Sequence, residues 1–255
     1  MRMIVKSIFG LPAIGLTIAL ATGIVGTAHA AIMTFSGADN GAAACHPPAC
    51  VNSDAAAASF DIAAGPHGLI TFEGLPLGPF GALAVAPGVT VTLTGAAAGS
   101  GGIQNTNQHA PTPIGFNTTA GGTEWLQIFP NFNSPGETAT FSFTSPVDAF
   151  GGYLTDTQVG FPGSITVTFN DGSSQSLSVT KNDDTGGAVF FGFTDIGAQI
   201  VGISYNTGAT GDTRDIWGID DVRFAVVAAP EPASLALIAT WLIGFGVVRR
   251  RRRAA

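Results

Sequence analysis

The sequence predicts an all-β protein, an antiparallel β-sandwich of jelly-roll type flanked by an N-terminal signal helix and a C-terminal transmembrane helix. Three observations carry this expectation. Between Leu69 and Phe224 about ten short runs alternate apolar and polar residues with period two. Gly, Pro, Asn and Asp bound those runs, and no convincing amphipathic helix interrupts them. At each end of the chain an uncharged apolar run sits beside basic residues.

At the front, Arg2 and Lys6 precede the uncharged run Ile8 to Gly26, which closes on Ala28-His29-Ala30. Basic residues followed by an apolar run and small residues in an A-x-A arrangement fit a signal peptide over residues 1–30. Ala28 and Ala30 then fill the peptidase pocket, and the general secretion machinery is the first partner. The alternative is an uncleaved membrane anchor, since the run approaches spanning length.

Residues 31–66 are Ala/Gly-rich and weakly periodic, and read as an extension with at most one short strand or helical turn. They contain the only two cysteines, Cys45 and Cys50. In an oxidising compartment two lone cysteines this close favour a local disulfide. A haem or zinc site would need Cys-x-x-Cys-His or two further ligands nearby, which are absent from the sequence.

The sandwich is expected over residues 67–227. Its candidate strands are Ile70 to Glu73, Val89 to Thr94, Glu124 to Phe129, Thr138 to Phe143, Ala149 to Leu154, Ser164 to Phe169, Ser174 to Thr180, Val189 to Phe193, Ile200 to Tyr205 and Ile219 to Phe224. The hairpin across Asn170-Asp171-Gly172-Ser173 is the clearest local signal, because these residues tolerate positive φ. An immunoglobulin-like sandwich is the alternative topology. Gln104 to Thr123, rich in Asn, Thr, Gly and Pro, reads as a long loop, the usual place for ligand contact.

Composition excludes several functions. The chain has 255 residues and a formal charge of -7, but seven of its ten basic residues lie at the two ends. Between Ala31 and Ala229 only Lys181, Arg214 and Arg223 face sixteen acids, a net -13. Such a body repels nucleic acid. The sequence has no HExxH, nucleophile elbow or phosphate-binding glycine loop, so a non-enzymatic body is expected. Trp125 and Trp217 could stack on sugar rings, although large aromatics more often fill a core. The adjacent acids Asp220 and Asp221 interrupt an apolar strand pattern. Alternation places one carboxylate on each face, where a partner such as arginine or Ca²⁺ is needed.

Residues 228–255 begin with Pro230-Glu231-Pro232, continue as an uncharged apolar stretch over 233–248 and end in five arginines at 249–253 followed by two alanines. Sixteen helical residues reach roughly 24 Å, enough to span a bilayer if the flanking residues snorkel. The arginines fix the C-terminal side as cytoplasmic. This order of features resembles the PEP-CTERM sorting signal of Gram-negative bacteria. The resemblance implies that an exosortase recognises Pro230, Glu231 and Pro232 and removes the tail. It further implies an inner-membrane intermediate and a mature protein at the cell surface or in an exopolysaccharide or biofilm matrix. A permanent anchor without processing is the alternative. Ile70-Thr71-Phe72-Glu73-Gly74 and Ile219-Asp220-Asp221-Val222-Arg223-Phe224 resemble the first and last strands of jelly-roll carbohydrate-binding modules. That resemblance implies a structural Ca²⁺ held by Glu73, Asp220 and Asp221. The competing reading pairs these acids with Arg214 or Arg223. For the whole protein the alternatives are a secreted polysaccharide hydrolase and a purely structural surface protein.

Overall fold

The computed structural model describes residues 32–43, 45, 50–95, 101–107, 114–129, 137–158, 163–206 and 216–226. Signal peptide, Ala28 and Ala30, Arg214, Pro230 to Pro232, and the apolar and arginine segments of the tail lie outside them. No helix among the described residues is long and apolar enough to cross a membrane.

The described chain is mostly antiparallel β-structure with one helix. Its strands are β1 (Met33–Asn40), β2 (Gly68–Ile70), β3 (Gly78–Pro79), β4 (Ala82–Ala86), β5 (Val89–Thr94), β6 (Gly102–Gln104), β7 (Trp125–Ile128), β8 (Thr138–Thr155), β9 (Ser164–Phe169), β10 (Ser174–Ser178), β11 (Gly187–Thr194), β12 (Ile200–Asn206) and β13 (Trp217–Val226), with α1 at Val51–Ala64. Most of the alternating runs therefore become strands close to where they were expected. The run Ile70 to Glu73 does not, because β2 ends at Ile70, Phe72 takes a positive φ of 60 and Glu73 lies in a turn. Two of them, Thr138 to Phe143 and Ala149 to Leu154, are one strand of 18 residues.

That long strand organises the fold. The first part of β8 pairs with β5 and β12, and β9 and β10 extend this side beyond β12. Its second part pairs with β11 and β13, and β1 adds to β11 while β2 and β7 add to β13. The two halves face each other across one core. Phe141 on the first half and Phe150 on the second meet at 5.4 Å, and Tyr205 meets Trp217 at 5.7 Å, in edge-on or tilted geometries that suit aromatic quadrupoles. Period-two alternation in β9, with Ile165, Val167 and Phe169 buried, supplies the same core.

The region read as an extension is part of this body. All eight residues of β1 pair with β11, and α1 packs over the outer face of β11 and β8. Small residues make this possible. A Cβ on Gly37 would run into the Asn52 carbonyl, so only glycine lets strand and helix approach this closely. The helix lacks a side-chain cap of its own at Cys50. Asp39, at the end of β1, caps it instead: its carboxylate accepts from the Asn52 N–H at 3.1 Å and the Ser53 N–H at 2.7 Å. Burial works against the ionised form of Asp39, but these donors and the two side chains outweigh it and hold the carboxyl below its ordinary range.

Cys45 and Cys50 form a disulfide immediately before α1, with Cα atoms 5.2 Å apart. Closing so short a loop restricts the unfolded chain by about 2 kcal/mol. Replacing both cysteines by alanine is expected to lower the unfolding free energy by about that amount. Urea denaturation of the oxidised protein and of the variant measures it, and equal midpoints would refute the assignment.

Candidate functional site

The described acids of greatest chemical interest converge on one loop. β13 carries a bulge between Asp220 and Arg223, and Asp221 sits there at φ 46. The bulge breaks strand alternation, so the two carboxylates do not divide between the faces as the sequence pattern predicts. Both turn toward residues 117–119. Asp220 Oδ2 accepts the Thr118 N–H at 2.6 Å and the Thr119 N–H at 3.1 Å, and also the Thr118 hydroxyl at 3.1 Å. The Asp221 oxygens accept the Thr118 hydroxyl at 3.0 Å and the Thr119 hydroxyl at 2.8 Å.

Glu73 joins from the turn after β2. Its Oε1 accepts the backbone N–H groups of Thr123 and Glu124, both at 2.8 Å. Asn117 bridges the two acids, donating from Nδ2 to Glu73 Oε1 at 3.1 Å and Asp220 Oδ2 at 3.3 Å. The Glu73 carboxylate lies against Gly122, where a side chain would collide with it. On its other side the loop is fastened to the end of β8. Gly115 N–H donates to Asp156 Oδ2 at 3.0 Å, and Phe116 N–H to Thr155 Oγ1 at 3.1 Å.

Electrostatically the cluster is strained toward neutrality. Asp220 is completely buried, and burial, helped by the neighbouring Asp221 charge, pushes its carboxyl up to about 8 against the pull of the Thr118 donors. Its Oδ1 is buried with no hydrogen-bond partner.

Sequence reasoning placed Glu73, Asp220 and Asp221 together, and the fold brings them into one network. Asn117, Thr118 and Thr119 were missed as individual residues, because their partners are about a hundred residues away and a polar loop carries no local mark of its contacts. The loop was read as the usual place for ligand contact. Among its described residues Gly115 to Thr118 are buried, whereas residues 105–107, 120, 121 and 123 are exposed.

Two other expectations are corrected. Trp125 and Trp217 are fully buried, so neither indole is available to stack on a sugar. Both fill the space beside β13, Trp125 against Gly115 and Gly218 and Trp217 against Tyr205. Arg223 does not pair with the Asp220 or Asp221 carboxylates. Its side chain lies on the helix side, with Nε 3.0 Å from Asp61 Oδ1 and the guanidinium 5.4 Å from the ring centres of Tyr153 and Phe190. It reaches Asp221 only at the backbone carbonyl, 2.7 Å from Nη1.

For a calcium ion, which takes six to eight oxygen ligands, the fit is partial. Glu73 Oε1 and Asp220 Oδ2 face N–H hydrogens, the wrong polarity for ligation. Asp220 Oδ1, the Asp221 carboxylate and the Thr118 and Thr119 hydroxyls are the oxygens a cation would use. Among the described residues no group of three or more His, Cys, Asp or Glu side chains is arranged to hold a metal. As it stands, the network is a clasp that fixes the loop over the last strand.

No known protein-family model matches the chain. No curated protein matches it either.

Proposed function

We propose that the chain is an exported, non-enzymatic surface protein of a Gram-negative bacterium, sorted by its Pro230-Glu231-Pro232 tail and processed by an exosortase. The observation that carries this reading is the Cys45–Cys50 disulfide, which uses both cysteines of the chain and suits an oxidising compartment outside the cytosol. It agrees with the two basic-flanked apolar termini. On this reading the body is a β-sandwich of jelly-roll type, which the antiparallel pairing of its two halves through the shared β8 supports. Its buried carboxylates face loop donors, an arrangement suited to holding a scaffold rather than to proton transfer. Association with exopolysaccharide rests on the tail's resemblance, and the body's role there is that of a rigid displayed module. Expression in an exosortase-bearing Gram-negative host tests the proposal. A mature N-terminus at Ala31, loss of the arginine segment only when the exosortase is present, and a thiol-free body are the expected results. An intact, reduced chain in the soluble cytosol would sink it.

A second reading, a structural Ca²⁺ at the clasp, is favoured by Asp220 Oδ1 alone. A cation there would neutralise the buried acidic pair. On this reading excess Ca²⁺ raises the melting temperature and chelator reverses the rise, the stabilisation reaching about 2.7 kcal/mol at a hundredfold excess over Kd. An unchanged melt removes calcium and leaves the hydrogen-bonded clasp.

A further inference from the structure

We infer that one end of the sandwich, the end at which the described chain enters β1 and leaves β13, is a lipid-facing surface. The inference rests on the reading of residues 233–248 as membrane-seated and adds which way the body stands on the bilayer.

Strand register brings the two ends of the described chain together. Met33 pairs with Thr194, Thr194 with Ala149 and Ala149 with Ala225, so the start of β1 and the end of β13 share one transverse row. Three strand spacings separate them, about 14 Å. Helix α1 begins beside Asp39 at the opposite end and returns to this one, where Phe60 meets Phe35 and Asp61 meets Arg223.

The large apolar side chains that remain exposed gather here too. Seven among the described residues are more than half exposed, and five of them, Met33, Ile62, Leu69, Ile196 and Val226, belong to this end. Leu69 pairs with Arg223, two residues from the row, and Ile196 caps the turn that follows β11. Val51 lies at the opposite end and Leu77 precedes the edge strand β3. Between the strands that carry Met33 and Leu69, Ala149 and Ala225 are buried in the cluster that holds Ala57 and Phe60 of α1. Clustered exposed apolar groups on a sandwich mark a contact surface.

Chain length selects the occupant. Only residues 227–232 separate Val226 from the apolar stretch that starts at Ala233, and two of them are prolines. Even fully extended, that connection reaches at most about 25 Å. The eight residues of β11 alone measure about 27 Å. A body tethered this closely cannot turn its opposite end to the bilayer, so the apolar end meets the headgroup region of the leaflet from which residue 233 enters.

The test uses the full chain in vesicles of phosphatidylethanolamine and phosphatidylglycerol. An environment-sensitive fluorophore is placed on Ile196→Cys or Asp184→Cys, exposed positions at the two ends of β11, with the native disulfide formed first. The expected result is a blue shift and severalfold stronger quenching by headgroup-region nitroxide lipids at 196 than at 184. The triple variant Met33→Asp, Ile62→Asp, Leu69→Asp should reduce the quenching at 196 toward the value at 184. Equal quenching at both sites in a chain that floats with the vesicles overturns the orientation alone, as does quenching at 196 that the triple variant leaves unchanged. A chain that does not float overturns the membrane reading and the orientation with it.

Discussion

Replacing Asp220 by alanine is expected to destabilise the protein by about 3–5 kcal/mol, the largest effect of any single substitution at the clasp. The backbone N–H groups of Thr118 and Thr119 and the Thr118 hydroxyl would lose their acceptor at a position that water does not reach. Asp220→Asn should cost far less, about 1 kcal/mol, because an amide oxygen still accepts those donors and the side chain carries no charge to bury. Urea denaturation of the three proteins at neutral pH separates the explanations. If the asparagine variant is as unstable as the alanine one, the negative charge itself is what the fold requires, and a bound cation becomes the better account of the site.

The second large effect is a loss of stability as pH rises through the weakly acidic range. Glu137 is 1% exposed, and burial pushes its carboxyl up to about 7 from an ordinary value of 4.5, despite the Phe129 N–H donated to Oε2 at 2.6 Å. A carboxyl raised in the folded state holds its proton more tightly there than in the unfolded chain. Its contribution is complete below pH 4.5 and is lost as pH climbs to about 7, a change of about 3 kcal/mol. Asp220 acts in the same direction up to about 8, and Asp148, raised by burial and by Asp195, adds to it. Asp39 acts oppositely: its carboxyl is lowered, so its contribution is present above the ordinary aspartate value and disappears in stronger acid. Maximum stability is therefore expected near pH 4.5–5. Glu137→Gln should flatten the slope between pH 5 and 7. Thermal melts across that range check it, and a wild-type curve that rises with pH would contradict the assignment.

What the sequence revealed and concealed follows from where the information lies. β5 and β9 are legible because apolar and hydroxyl residues alternate locally and turn residues close them. β1 and α1 were hidden in an Ala/Gly-rich stretch. Small side chains give weak periodicity, and their value appears only when Gly37 meets the helix backbone. Thr138–Phe143 and Ala149–Leu154 were read as two separate strands, yet the chain continues between them as one strand and serves both halves. At the site the acids were readable because charge inside an apolar strand is conspicuous. The bulge that turns both toward one loop was not, since Asp221 carries no sequence mark of its positive φ. The tryptophans illustrate the converse: aromatic type is visible in sequence, and burial is a property of the finished core.

The position of β13 has a consequence for how the protein matures. This strand is the last described element, yet it lies in the interior of its half, flanked by β8 on one side and by β2 and β7 on the other. A polypeptide delivered across a barrier amino end first would carry every earlier strand through with that slot empty and Trp217, Ile219 and Val222 still missing from the interior. Closure must wait for the carboxyl end, a non-local pairing that makes late, all-at-once consolidation the natural order of assembly.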